Sequence, residues 1–235
     1  MLKKEHIKLY KLARNRDKSE KDYFIFEKHQ AEMVINPLKR KIKFKGAKVL
    51  DIGSGRGGYS YALDKNGASV VSLDLDIKKQ PHLNKKFVNA DATNLPFKAE
   101  SFDIVFCSSI IEHLKNPKDM ILEIKRVLKK RGICYLSFPP FWSPVGAHQF
   151  KPFHYLGEKN AIRLARKFYK VRSHSSYHDE YGVLYIMTLK KAKKLIRQSG
   201  LKIKDISTRH SPINLAKIPF LNEFLTWHVE FLIQK

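Results

Sequence analysis

Cysteine is nearly absent from this chain of 235 residues: only Cys107 and Cys134 occur, each inside an apolar run. Two such thiols exclude a disulfide framework and suit a reducing compartment, so a cytoplasmic location is expected. Long apolar runs are missing as well. None approaches the roughly 20 residues that a membrane span needs. The basic N-terminus has no apolar stretch behind it, so neither a transmembrane segment nor a signal peptide is expected. Acid is scarce against base, 22 Asp and Glu against 46 Lys and Arg, which leaves a formal charge of +24. A surface that basic attracts phosphate at long range. The lysines are nevertheless scattered along the chain and no RNA-binding module stands out, which favours a solvated surface over a nucleic-acid partner. Against these shortages, 43% hydrophobic and 29% charged residues describe a folded chain and exclude a disordered one. The length accommodates a single domain, 1–235, with insertions.

The informative stretch is Val49-Leu50-Asp51-Ile52-Gly53-Ser54-Gly55-Arg56-Gly57-Gly58. Lys48 to Ile52 reads as a buried strand, and the glycines after it as a tight turn into a helix near Tyr59. Gly53, Gly55 and Gly57 allow unusual dihedrals and a close approach of backbone to ligand. By spacing alone, Gly53, Gly55 and Gly58 also satisfy the dinucleotide fingerprint. Asp51 argues against that reading, because its carboxylate, expected to face the ligand crevice, would repel a pyrophosphate and attract a cationic ligand. A second strand, Val70 to Asp74, ends in an acid 23 positions after Asp51. A carboxylate there is placed to accept hydrogen bonds from both hydroxyls of a ribose, with Asp76 as an alternative of the same chemistry.

With its acid followed by alternating glycines, the stretch resembles the first motif of the class I S-adenosylmethionine (SAM)-dependent methyltransferases. The stretch Ala90-Asp91-Ala92 is similar to the one whose Asp meets the adenine amino group in that family while the next backbone N–H meets the ring nitrogen. Leu95-Pro96-Phe97, Phe102-Asp103 and Ser108-Ser109-Ile110-Ile111-Glu112-His113-Leu114 look like the type 11 subgroup, which acts largely on small molecules and lipids. The resemblance implies SAM as cofactor and S-adenosylhomocysteine as product. It implies cofactor contacts from Asp51, Gly53, Gly55, Gly57, Asp74, Leu75, Asp91, Ala92 and Ser108. It also implies an α/β fold: a doubly wound, Rossmann-like, seven-stranded and mostly parallel sheet with an antiparallel last strand and an inserted lid.

The remaining chain fits around that core, taken as 45–138. Residues 1–44 form an N-terminal arm. Its first 28 positions suit either a helix or partial disorder, and Tyr23 to about Lys41 carries helical spacing through Phe26, Met33, Val34 and Leu38. His29 on that helix reads as a surface polar residue, with the cofactor as the alternative contact. Phe87–Asn89, Phe102–Cys107 and Ile133–Phe138 read as strands, and Met120, Ile121, Ile124, Val127 and Leu128 as the buried face of a helix opened by Asn116 and Pro117. Alternating strands and helices imply right-handed crossovers and ligands at the carboxyl ends of the strands. From 139 to 189 lies an insertion rich in aromatics and histidine, the expected substrate lid. In 190–235 a basic helix precedes two strands, Leu201–Ile206 and Thr226–Ile233, with Trp227, Val229, Phe231 and Ile233 alternating inward.

Methyl transfer from a sulfonium needs positioning and water exclusion, and a base only for a protonated acceptor. His113, His148 and His154 are the candidates for that base. No metal set is assigned: His174, His178 and Asp179 have suitable spacing but sit in an extended loop without geometric support. An Asn/Asp-Pro-Pro-aromatic run for adenine and a Pro-Cys nucleophile for cytosine are both missing. These absences lower the nucleic-acid reading without removing it, and the resemblance to the type 11 subgroup implies a small molecule, lipid or saccharide as acceptor. An RNA methyltransferase or RNA-binding relative stands as the alternative, and an NAD(P)-dependent oxidoreductase behind it.

Overall fold

The computed structural model describes residues 2–76, 86–169, 176–178, 184–209, 211, 213–218 and 221–235. Its chain forms two compact units, one of Met1–Cys107, Glu123–Cys134 and Lys235, the other of Ser108–Leu122 and Tyr135–Gln234. The division therefore runs through two strands.

Two helices open the first unit, α1 (Leu2–Asn15) and α2 (Glu20–Leu38). Ser19 caps α2 by accepting from the Asp22 N–H at 3.1 Å, so this helix begins before Tyr23. Phe26, Ala31, Val34, Ile35 and Leu38 give it a buried stripe. His29 is buried rather than exposed, and its Nε2 lies 3.2 Å from the Glu5 carbonyl oxygen and 3.4 Å from the Glu5 carboxylate, tying α2 to α1.

Strands β1 (Lys48–Ile52), β2 (Ser69–Asp74), β3 (Phe87–Asn89) and β4 (Phe102–Ser108) follow, with α3 (Gly58–Lys65) between β1 and β2. β1 pairs in parallel with both β2 and β4, and β2 in parallel with β3. Val49, Leu50 and Ile52 are fully buried, as a strand covered on both faces requires. Helix α4 (Pro117–Val127) then runs directly into β5 (Leu128–Phe138). That strand starts five residues before the expected Ile133. Leu128, expected on the buried face of the helix, opens the strand instead, and beside it the Lys129 ammonium lies 2.7 Å from Asp103.

The second unit holds α5 (Glu158–Tyr169), α6 (Leu189–Gln198), β6 (Lys202–Thr208), α7 (Asn222–Leu225) and β7 (Val229–Gln234). β6 and β7 are antiparallel, and the hydrogen-bonded strand order is β3-β2-β1-β4-β5-β7-β6. This is the seven-stranded, mostly parallel sheet that was expected. Val229, Phe231 and Ile233 are buried as anticipated, but Trp227 is 57% exposed and Thr226 buried. The reason is local: the Thr226 N–H still bonds the Asn222 carbonyl at the end of α7, so strand alternation starts only at Val229. The insertion carries its own apolar core around Phe141, Ala147, Phe150, Ala161, Ala165 and Tyr177. His174, Tyr181 and Asp179 lie outside the described residues.

Candidate functional site

In the first unit, β3, β2 and β1 are neighbours, so the loops after their carboxyl ends lie side by side. The β1 loop is shaped by Gly53, Gly55 and Gly57, all at positive φ (70°, 55° and 87°), a region open to glycine and strained for other residues. The Gly53 and Ser54 N–H groups donate to the Leu73 carbonyl at 2.7 and 3.0 Å, which fastens the loop to the end of β2.

Three carboxylates surround this loop. Asp74, at the end of β2, accepts from the Gly55 N–H at 2.9 Å and from the Asp76 N–H at 3.0 Å. Asp51 is turned to α3 instead of facing an open crevice. Its carboxylate accepts from the Ser60 hydroxyl at 2.5 Å, and that hydroxyl lies 2.7 Å from Ser72 Oγ. Burial raises the Asp51 pKa to about 7, against the Ser60 hydrogen bond and with help from the charges of Glu27 and Asp74.

Glu27 is the third carboxylate, and sequence reasoning missed it. It projects from α2 and accepts from the Arg56 and Gly58 N–H groups at 3.1 and 3.2 Å. Burial raises its pKa to about 7 too, although those amides and the Arg56 charge pull downward. Arg56 itself is held by Glu20 at 2.8 Å and lies over the Tyr23 ring, so its charge is already paired. Helix and loop meet so closely that a Cβ on Gly58 would collide with Glu27 Cβ and the Lys28 nitrogen. One on Gly55 would stand 2.7 Å from Glu27 Oε1. The two glycines left a trace of this approach in the sequence and the helix was legible from its spacing, but nothing singled out Glu27 as the side chain that fills it.

Further along the same edge, Leu75 leaves its side chain 69% exposed, while Asn89 Nδ2 donates to the Asp74 and Leu75 carbonyls at 3.1 and 2.7 Å. Asp91 Oδ1 accepts from the Thr93 N–H and hydroxyl at 2.7 and 2.8 Å, which fixes the turn, and Ala92 behind it is buried. The structure thus brings Asp51, the three loop glycines, Asp74, Leu75, Asp91 and Ala92 to one edge of the first unit. A cradle with three acids and a paired arginine suits a cationic ligand and opposes a diphosphate.

Ser108 belongs to the second unit and is engaged there. Its hydroxyl lies 3.0 Å from Ser137 Oγ and 3.3 Å from Arg209 Nη2. The buried Arg209 also donates to Tyr135 (2.8 Å), Ser137 (2.9 Å) and Glu230 (3.2 Å). Its role was not legible beforehand.

Of the three candidate histidines, two are brought together. The His113 and His148 rings have centroids 5.1 Å apart. Glu112, beside His113 in a short 3₁₀ turn, joins them: one ligand atom from each residue lies within 4.8 Å of the other two. The Glu112 carboxyl is buried, and burial pushes its pKa to about 8 against its own N–H and the Arg209 charge. His154 packs instead among Phe141, Trp142 and Tyr155, and burial holds its pKa below the ordinary histidine range.

Comparison with known proteins matches residues 50–136 to the family model described as a methyltransferase domain. An uncharacterized methyltransferase of Mycobacterium leprae is 26% identical over 198 residues, 80% of this chain and 72% of that protein. Another, from Mycobacterium sp. (strain KMS), is 30% identical over 142 residues, 58% of this chain and 55% of that protein. Among solved structures, an S-adenosylmethionine-dependent methyltransferase from Mesorhizobium loti is similar in fold, with a TM-score of 0.62, 18% identity, and coverage of 87% of this chain and 98% of that one.

Proposed function

We propose that the chain, whose residues 50–136 match a methyltransferase domain and whose fold is shared with an S-adenosylmethionine-dependent methyltransferase, is a class I SAM-dependent enzyme that methylates a small-molecule, lipid or saccharide acceptor and releases S-adenosylhomocysteine. The observation that carries the cofactor side is the ring of Glu27, Asp51 and Asp74 around the glycine loop. Negative charge at that cradle favours a ligand bearing ammonium and sulfonium groups and disfavours a nicotinamide dinucleotide.

The residues present fit SAM. Asp74 has acceptor capacity left for the ribose hydroxyls after its bond to Gly55. The exposed Leu75 offers an apolar seat for a purine, and Asp91 with the Ala92 N–H presents an acceptor and a donor to its edge. Gly53 and Gly57, at positive φ, shape the loop that would receive the methionyl portion. When bound, SAM supplies a methyl group on a sulfonium whose departure leaves a neutral thioether. The chain's own work is then to hold, orient and dehydrate the reactants. On the acceptor side we assign that work to His113 and His148 with Glu112. His154 acts as part of an aromatic wall of the kind that lines ligand pockets. The insertion 139–189 serves as the substrate lid.

One observation favours a second acceptor class. Lys190, Lys193, Lys194 and Arg197 of α6 line a single groove, a feature suited to a phosphate backbone. A labelled-methyl transfer screen over lipid, saccharide, small-phenol and RNA fractions separates the two. Labelling outside the RNA fraction supports our reading, and labelling of RNA alone replaces it. Saturable binding of NADH without binding of S-adenosylhomocysteine would refute the cofactor assignment.

A further inference from the structure

The Glu112 carboxylate presents an unsolved electrostatic problem. It is 1% exposed, and neither oxygen has a hydrogen-bond partner among the other described residues. The buried guanidinium of Arg209 is committed to Glu230, Tyr135 and Ser137. A buried carboxylate left in that state is strongly disfavoured unless a proton or a cation joins it. Two imidazoles stand beside it, those of His113 and His148, with one ligand atom from each of the three residues inside 4.8 Å of the others.

We propose that Glu112, His113 and His148 form a divalent-cation site, selective for a borderline first-row ion such as Zn²⁺ over Mg²⁺ or Ca²⁺. Two imidazole nitrogens and one carboxylate oxygen are the donors such ions prefer, whereas Mg²⁺ and Ca²⁺ take oxygen donors. Ligand bonds of about 2.0–2.2 Å would set the donor atoms roughly 3.3 Å apart. The rings therefore swing inward by up to about 1.5 Å on loading, a side-chain adjustment. Three protein ligands leave a coordination position open, the pattern of a metal that works on a substrate.

The role of the site rests on the methyl-transfer reading above. A cation held by these three residues would offer a position for an acceptor oxygen and would lower the pKa of its hydroxyl. The acceptor then gives its proton to water and its oxygen lone pair forms the new bond to the methyl carbon. The carbon–sulfur bond breaks with its electron pair going to sulfur. No oxidant or reductant is involved.

The test is calorimetric titration of the chelator-treated full-length protein with ZnCl₂, MgCl₂ and CaCl₂, with metal content checked by mass spectrometry. One saturable zinc equivalent is expected. Glu112→Gln, His113→Ala and His148→Ala should each weaken it by about 100-fold or more, since even outer-shell changes cost 10–100-fold. His178→Ala, an exposed histidine outside the cluster, should leave it intact. Co²⁺ absorption spectra, which report imidazole ligation, should be lost in the same three variants. Circular dichroism identifies any variant that has not folded, and Glu112→Gln, which keeps shape, guards against that outcome. Absence of saturable zinc, or equal zinc binding by a folded Glu112→Gln protein, overturns the site. Binding of S-adenosylhomocysteine is measured in parallel: its loss with zinc binding intact overturns the methyl-transfer reading and leaves the cation site standing.

Discussion

Replacing Asp51 by Asn should stabilise the fold and weaken the cofactor, with a pH signature that separates the two effects. The Asp51 carboxyl is 2% exposed and its pKa rises from 3.8 to about 7 on folding. At about 1.36 kcal/mol per pH decade, a difference of roughly three decades carries about 4 kcal/mol. The folded state holds the proton where the unfolded state has lost it. The contribution is thus complete below about pH 4 and disappears as pH rises through about 7. Asn keeps an oxygen for the Ser60 hydroxyl and removes the charge. The stability of the Asp51→Asn variant should therefore gain on the parent by about 3 kcal/mol between pH 5 and pH 8. Glu27 titrates over the same range and its charge contributes to the Asp51 shift, so the repulsion between the two carboxylates is part of the difference that Asn removes. Urea denaturation followed by circular dichroism at the two pH values measures it. Meanwhile SAM, whose charge the carboxylate attracts, should bind the variant more weakly at pH 8. A stability difference that does not change with pH, or one that shrinks as pH rises, would refute the assignment of Asp51 as a buried titrating acid.

Gly58→Ala should cost about 2 kcal/mol or more, because the new methyl meets the α2 backbone at Lys28 and not a yielding side chain; an unchanged melting temperature would contradict that packing. Asp74→Ala should weaken S-adenosylhomocysteine by about 1–3 kcal/mol through lost hydrogen bonds to a carboxylate, and equal affinity in parent and variant would remove Asp74 from the ribose site. Arg209→Met leaves Glu230 without its buried partner and should destabilise by about 3–5 kcal/mol, read from denaturant midpoints. SAM binding should weaken as pH falls below about 7, where Glu27 and Asp51 take up protons, while the neutral sulfur of S-adenosylhomocysteine makes its binding less sensitive. Identical pH profiles for the two ligands would count against the charged cradle.

Much of the first unit is legible because its signals are local. Glycines at positions 53, 55 and 57 announce positive φ by their chemistry, and an acid closing a strand announces itself by its place in the alternation. Right-handed crossovers then follow from the alternation of strands and helices, while the strand order is seen only in the structure. The second unit is harder to read. Thr226 and Trp227 alternate with their neighbours as strand residues do, yet a helix end claims Thr226. Lys129 to Arg131 follow an apolar-faced helix as a basic terminus would, yet they belong to β5, where Lys129 lies 2.7 Å from Asp103.

Short-range pattern, together with the family resemblance it carries, thus determined the fold class and the glycine turn, since dihedral freedom, periodicity and strand-end acids act over a few neighbouring residues. Tertiary structure alone decided which distant groups share a neighbourhood: Glu27 on the amide of Gly58, 31 positions away, Asp51 turned to Ser60, and Glu112 buried beside His113 and His148. Burial and charge proximity, the two influences that move a carboxyl's pKa furthest, depend on that neighbourhood and have no counterpart along the unfolded chain.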